Sequence, residues 1–181
     1  MKYKNLFILP VIIVLSACST TYTPETDQSS DYNFSTANTF NVVGDDKLKN
    51  PMISDINRSR IDSALITSLI KQGKTEVNIN SADVLISYFI VTKDKVKVTS
   101  SNSGRYARYG VHGYGGLSGI DARDYVEGTL IIDVVDNESK KTIWRSTLTK
   151  SLKSYDNAVE RETAINNAVS SMMESFPSNT I

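Results

Sequence analysis

The alternation of apolar and polar positions divides the chain into a short leader, a polar stretch and six candidate elements. Leu6 to Leu15 is almost continuously Leu, Ile, Val and Phe, broken only by Pro10, and it follows the basic residues Lys2 and Lys4. A helix needs about 20 apolar residues to cross a bilayer, so this run is too short to span one and reads as the core of an export signal. Ser19 to Ser30 then holds Thr, Ser, Asp, Glu, Gln, Tyr and Pro with almost nothing to bury. Residues 18–30 are therefore expected to form a flexible, solvated tether, which at about 3.5 Å per residue would reach roughly 40 Å.

From residue 31 the pattern becomes that of a folded domain, expected to run to 177. Tyr32, Phe34, Phe40, Val42 and Val43 among polar neighbours predict one interrupted strand or two short ones. Asn50-Pro51 offers a helix start, with Asn as cap and Pro in the first turn. Ile53, Ile56, Ile61, Ala64, Leu65 and Leu69 then recur at mostly three- and four-residue steps, and Gly73 provides a stop. Val84 to Val91 is apolar on both alternating faces, as a central strand should be, and its continuation to Val98 alternates with lysines. Tyr125 to Asp136 places Val126, Leu130, Ile132 and Val134 on one face and Glu127, Thr129 and Asp133 on the other. After a turn at Asn137 to Lys140, Thr142 to Leu152 returns with Trp144 and Leu148 inward. Asn157 with Glu160 reads as a capping box opening a last helix, which Pro177 follows. The order β-α-β-β-β-α predicts an α+β, two-layer domain, with a mostly antiparallel sheet of about four strands and both helices packed on one face.

Composition narrows what such a domain can do. The 181 residues carry 20 basic and 20 acidic side chains, and loss of Lys2 and Lys4 with the leader leaves a slight acidic excess. Nothing in that balance suits nucleic acid, which calls for a clustered basic surplus. The single cysteine, Cys18, closes Leu15-Ser16-Ala17-Cys18, the pattern of a bacterial lipoprotein signal. Small residues at 16 and 17 allow close approach by a peptidase, and the thiolate can attack a lipid donor to form a thioether, which in proteins resembling this one carries a diacylglycerol. The same resemblance implies that cleavage leaves Cys18 first, its amine open to acylation by a chain such as palmitate. One acyl chain holds only marginally, since each buried methylene contributes about 0.8 kcal/mol, whereas three hold almost permanently. Ser19, where an aspartate would resemble an inner-membrane retention signal, points to the outer membrane, with the domain facing the periplasm or the cell surface.

The segment from Thr99 to Asp124 holds six of the nine glycines together with Arg105, Tyr106, Arg108, Tyr109, His112, Tyr114 and Arg123. This mobile Gly/Tyr-rich loop has the composition of an adaptable binding surface, and equally that of a disordered or frayed hairpin tip. It has no phosphate-loop spacing. His112 is the only histidine, so a multi-histidine metal site is excluded, and a Ser-His-Asp arrangement would hang its base on this loop. Glu127 and Asp133, six residues apart on one strand, are some 20 Å from each other, too far for a glycosidase pair at about 5 to 9.5 Å. They read as solvated polar-face residues, and Trp144 as core in preference to a sugar-stacking platform. No catalytic residue, metal or cofactor is expected.

Tyr125-Val-Glu-Gly-Thr-Leu-Ile-Ile-Asp-Val-Val-Asp136 followed by Lys141-Thr-Ile-Trp-Arg145 resembles the bacterial envelope lipoproteins grouped as domain of unknown function 4136. The resemblance also takes in Phe34-Ser, Thr39-Phe40, Ala82-Asp83-Val84, the Gly/Tyr loop and Phe176-Pro177, while Asn33 and Ala37 stand where members often carry aspartate and tyrosine. It implies an envelope lipoprotein domain of α and β structure and no established activity. The expectation is a non-enzymatic, lipid-anchored domain that binds or scaffolds an envelope protein or glycan. The alternative is a carrier of a small ligand or lipid, with a pocket between sheet and helices. An apolar cavity would favour the carrier, and a filled core with an exposed Tyr/Arg patch the scaffold.

Overall fold

Two 18-residue strands form the spine of the structure, a computed structural model that describes residues 22–44, 53–101, 119–152 and 154–177. Along the chain these are β1 (Glu25–Gln28), a 3-10 turn at Phe34–Thr36, β2 (Thr39–Val42), α1 (Asp55–Lys71), β3 (Thr75–Glu76), β4 (Val84–Ser101), β5 (Gly119–Asp136), β6 (Thr142–Ser151) and α2 (Ala158–Met173). The sheet order is β1-β6-β5-β4-β2-β3. β2 runs parallel to both β3 and β4, while β4-β5, β5-β6 and β6-β1 are antiparallel.

The expected four-stranded, mostly antiparallel sheet is therefore corrected to six strands of mixed direction. The two unforeseen strands share a cause. β1 and β3 are four and two residues long and exposed throughout, so backbone ladder bonds hold them and no buried face writes an alternation into the sequence. β1 also takes residues 25–28 out of the expected tether and lays them along β6.

The helix ends follow local chemistry. Ser54 caps α1 by accepting the Asn57 N–H at 3.4 Å, whereas the expected start at Asn50-Pro51 lies outside the described residues. At the other end the Lys74 N–H donates to Leu69 O and the Gly73 N–H to Ile70 O, both across Gly73 at φ 81°. These are the paired bonds of a Schellman stop, which needs a left-handed residue where glycine is unstrained. Asn157 caps α2 by accepting the Glu160 N–H at 2.9 Å, and its amide donates to the Glu160 carboxylate.

Alternation decides which sheet face is buried. Ile86, Tyr88, Ile132, Val134, Trp144 and Leu148 point to one side and are buried, packed with Ile61, Leu65 and Leu69 of α1 and Val169, Met172 and Met173 of α2. Trp144 and Leu148 thus lie inward as their spacing predicts. The helices run side by side in the same direction: Arg60 meets Glu162 near their starts at 3.9 Å, and Gln72 donates to Met173 O near their ends at 2.6 Å. Both N-termini consequently lie at one end of the domain.

Asp83 fastens the parallel pair, its carboxylate accepting the N–H groups of Asn38 at 3.0 Å and Thr39 at 2.8 Å. Burial works against its charge, but the bonds from Thr39 and Asn38 and the nearby Lys74 ammonium outweigh it and hold the carboxyl below its ordinary range. The folded pKa lies below the unfolded one, so this stabilisation is present above the unfolded value, about 4, and is lost as pH falls through the folded value. An Asp83→Asn variant should be less stable than wild type at neutral pH, and the gap should close in acid, as urea titrations at descending pH would measure.

Candidate functional site

Where the two helices begin, helices and sheet leave a pocket of about 340 Å³. Its walls are mostly apolar, with Ile53 and Ile61 from around the start of α1, Ile90 and Leu130 from β4 and β5, Leu148 from β6 and Ile165 from α2, and Asn57, Thr92 and Ser151 as polar members. The volume falls at the low end of the range for small-molecule sites, roughly 300–1,000 Å³. The rim is amphipathic. Lys150 Nζ sits 3.7 Å from the centre of the Tyr22 ring, and Arg161 lies 6.0 Å from that of Tyr155, both within cation–π range. The Tyr22 hydroxyl donates to Ala164 O at 3.3 Å, which ties the first described residue to α2. The Tyr155 hydroxyl is pushed above its usual pKa by burial and by Tyr22, with Arg161 opposing, so it stays a neutral donor at the rim.

One glycine shapes the pocket wall. A Cβ on Gly128 would lie 2.6 Å from Leu152 Cδ2 and 3.2 Å from its Cγ, so a side chain there would require the Leu152 side chain to move. With no side chain at 128, Leu152 folds over β5, held in place as its N–H donates to Val126 O at 2.8 Å. The missing methyl thus leaves Leu152 room to lie against the pocket wall.

Beyond the pocket the sheet narrows to a ribbon. β4 and β5 pair along their whole lengths, but β6 pairs with β5 only from Glu127 onward. From Asp94 to Ser101 and Gly119 to Val126 the two strands continue alone for about 27 Å at 3.4 Å per residue. The expected loop Thr99 to Asp124 is thereby trimmed at both ends, because residues 99–101 and 119–124 are strand. Gly119-Ile-Asp-Ala-Arg-Asp124 has no apolar alternation in sequence, and its backbone pairs with β4. Lys95 pairs with Glu127 at 3.1 Å at the root of the ribbon, where the Tyr125 hydroxyl also reaches Glu127 at 3.3 Å.

The expected site residues Cys18, Arg105, Tyr106, Arg108, Tyr109 and Tyr114 lie outside the described residues, as does His112. Of the two carboxylates read as solvated, Asp133 is corrected: it is only 7% exposed and accepts Arg145 Nε at 2.6 Å and Nη2 at 2.7 Å, on the sheet face away from the helices. Its partner is 12 residues away, brought opposite by the β5-β6 register. Among the described residues no cluster of His, Cys, Asp or Glu is placed to hold a metal, and no helix is long and apolar enough to cross a membrane.

Residues 24–178 match the family described as domain of unknown function (DUF4136). The chain belongs to that family. No curated protein matches it. Among solved structures, the DUF4136 chain is similar to a PDZ domain protein from Parabacteroides distasonis at 15% identity and a TM-score of 0.53. That alignment covers 88% of this chain and 36% of the other, so the chain spans about a third of that neighbour's length. It is also similar to the PelC dodecamer from Paraburkholderia phytofirmans at 11% identity and a TM-score of 0.44, over 83% of this chain and 95% of the other. At these identities only the first, higher-scoring likeness carries weight, and it speaks to fold alone.

The motifs behind the resemblance now have physical roles in the DUF4136 domain. Asp83 clamps β2 to β4, Gly128 admits Leu152, Trp144 fills the core, Arg145 neutralises Asp133, and Phe176 packs edge-on against Trp144 at 5.2 Å. Sequence reasoning missed the pocket rim. Tyr22 and Tyr155 stand in polar stretches, and their only signal was an aromatic residue with no core pattern around it.

Proposed function

We propose that this chain is a lipid-anchored lipoprotein of the bacterial outer membrane, acylated at Cys18, whose DUF4136 domain binds an acyl-bearing envelope lipid or similar small apolar ligand without transforming it. The supporting observation is the mostly apolar pocket between sheet and helices, with Lys150 and Arg161 at its rim to meet an anionic head group. The described lining holds no carboxylate or imidazole, which supports reading the pocket as a binding site. Each methylene that enters would contribute about 0.8 kcal/mol, and the rim would set orientation.

Filling the pocket tests this reading. Leu130→Phe combined with Ile90→Phe should weaken binding of a fluorescent fatty-acyl probe at least tenfold, about 1.4 kcal/mol, while leaving the thermal midpoint within a few degrees. Equal affinity in variant and wild type would rule the pocket out. A second reading, contact with an envelope protein or glycan, is favoured by the ribbon, whose two strands have no further partner among the described residues beyond Val126. Such edges can accept an added strand.

A further inference from the structure

We infer that the pocket end of the domain seats on the same lipid surface that receives the Cys18 acyl chains, so that the pocket opens toward the membrane. This rests on the acylation of Cys18 proposed above and goes beyond it, because an acylated residue on a long spacer would fix no orientation. The spacer is not long. Tyr22 is docked at the pocket rim through its ring and its hydroxyl, and only four residue steps separate it from Cys18. At most about 3.5 Å per step, the anchor lies within roughly 14 Å of the rim. A domain of this length has a radius of gyration of about 15 Å. The tether is therefore shorter than the domain is wide, so the turn end of the sheet cannot reach the lipid, and the ribbon, which leaves from the pocket end, lies along the lipid surface on the face that carries Val96 and Val126.

The surface at this end suits that neighbour. Exposed large apolar side chains gather there: Ile56 in the first turn of α1, Val159 in the first turn of α2, Leu152 and Tyr155 between β6 and α2, and Val96 and Val126 on the ribbon. Val159 is 73% and Leu152 55% exposed, an unfavourable arrangement in water and a favourable one at an interface where apolar tips enter the acyl boundary. Lys150 and Arg161 stand beside them at the level where lipid phosphates would lie. Of the remaining exposed apolar residues, Ile70 and Ile79 lie toward the opposite end of the domain, and Val91 lies at the level of the pocket but on the other face of the sheet.

The test uses the full acylated protein in vesicles of phosphatidylcholine and phosphatidylglycerol. Acylation occupies the Cys18 thiol, so a single introduced cysteine can carry a fluorophore. Leu152→Cys, Val159→Cys and, in the β5-β6 turn at the opposite end, Glu138→Cys are all at exposed positions and should fold. Brominated lipid should quench the label at 152 and 159 several-fold more than at 138. Equal quenching at all three sites in protein that floats with the vesicles would overturn the seating while leaving the anchor intact. Protein that fails to float, with an unmodified Cys18 thiol by mass spectrometry, would remove the anchor and the seating together.

Discussion

Replacing Trp144 with alanine should cost about 3–5 kcal/mol, the cost of truncating a large aromatic residue in a close-packed core. The side chain is 1% exposed, and it forms one end of a run of edge-to-face rings. Trp144 meets Phe176 at 5.2 Å, Phe176 meets Phe34 at 6.1 Å, and Phe34 meets Tyr32 at 5.1 Å. The run joins β6, the end of the last helix and the 3-10 turn before β2, so the cavity would loosen three segments distant in sequence. Domains of this size are typically stable by about 5–15 kcal/mol, and the loss would take about a fifth of that or more. Trp144 is the only tryptophan, so unfolding in urea should be followed by circular dichroism. Trp144→Phe keeps an aromatic edge against Phe176 and should cost clearly less. A loss below about 1 kcal/mol for the alanine variant would mean the core at Trp144 is not packed as described.

Much of this architecture was legible because burial writes a period into sequence. α1, α2 and the core parts of β5 and β6 each bury one face, and the apolar spacing of Ile61, Leu65 and Leu69, or of Leu130, Ile132 and Val134, declares it, whereas β4 is apolar on both faces in sequence yet buries only one. Caps were legible where one residue does the whole task, as at Gly73 and Asn157. Ser54 was obscured by Asn50-Pro51, which carries a stronger start signal four residues earlier. β1 and β3 were illegible because an edge strand with no buried side chain has the composition of a linker. The same ambiguity made Tyr22 to Gln28 read as tether, and with it went the distance between domain and anchor.

Contacts across the sheet were harder still. Asp133 looks solvated when β5 is read alone, and its true environment depends on which residue of β6 stands opposite. The turn Asn137–Lys140, with Lys140 at φ 58°, and the register shift at Val134/Val135 set that register, and neither has a sequence signature strong enough to fix it. The pocket presents the same difficulty, because its walls come from five elements and its existence depends on how far the helix starts stand from the sheet.

The Asp133–Arg145 pair supplies the second large effect, and its size follows from unequal burial. Exposed ion pairs contribute about 0–1 kcal/mol, while removing one partner of a fully buried pair costs about 3–5 kcal/mol. Here the Asp133 side chain is 9% exposed and that of Arg145 49%, so solvent screens one partner and not the other. Arg145→Ala should cost about 2 kcal/mol, between those limits, because it leaves a buried carboxylate without its two charge-assisted bonds. Asp133→Ala should cost less, about 1 kcal/mol, since the guanidinium it releases can turn to water or toward Asp27 on β1, whose charge already acts on it. The double variant should lose less than the sum, a coupling of about 1 kcal/mol in a double-mutant cycle. Arg145→Lys should recover only part of the loss, because an ammonium cannot make two parallel bonds to one carboxylate. If Arg145→Ala unfolds in urea within about 0.5 kcal/mol of wild type, Asp133 is solvated after all. The Trp-Arg dipeptide of the family would then be conveying only its inward half.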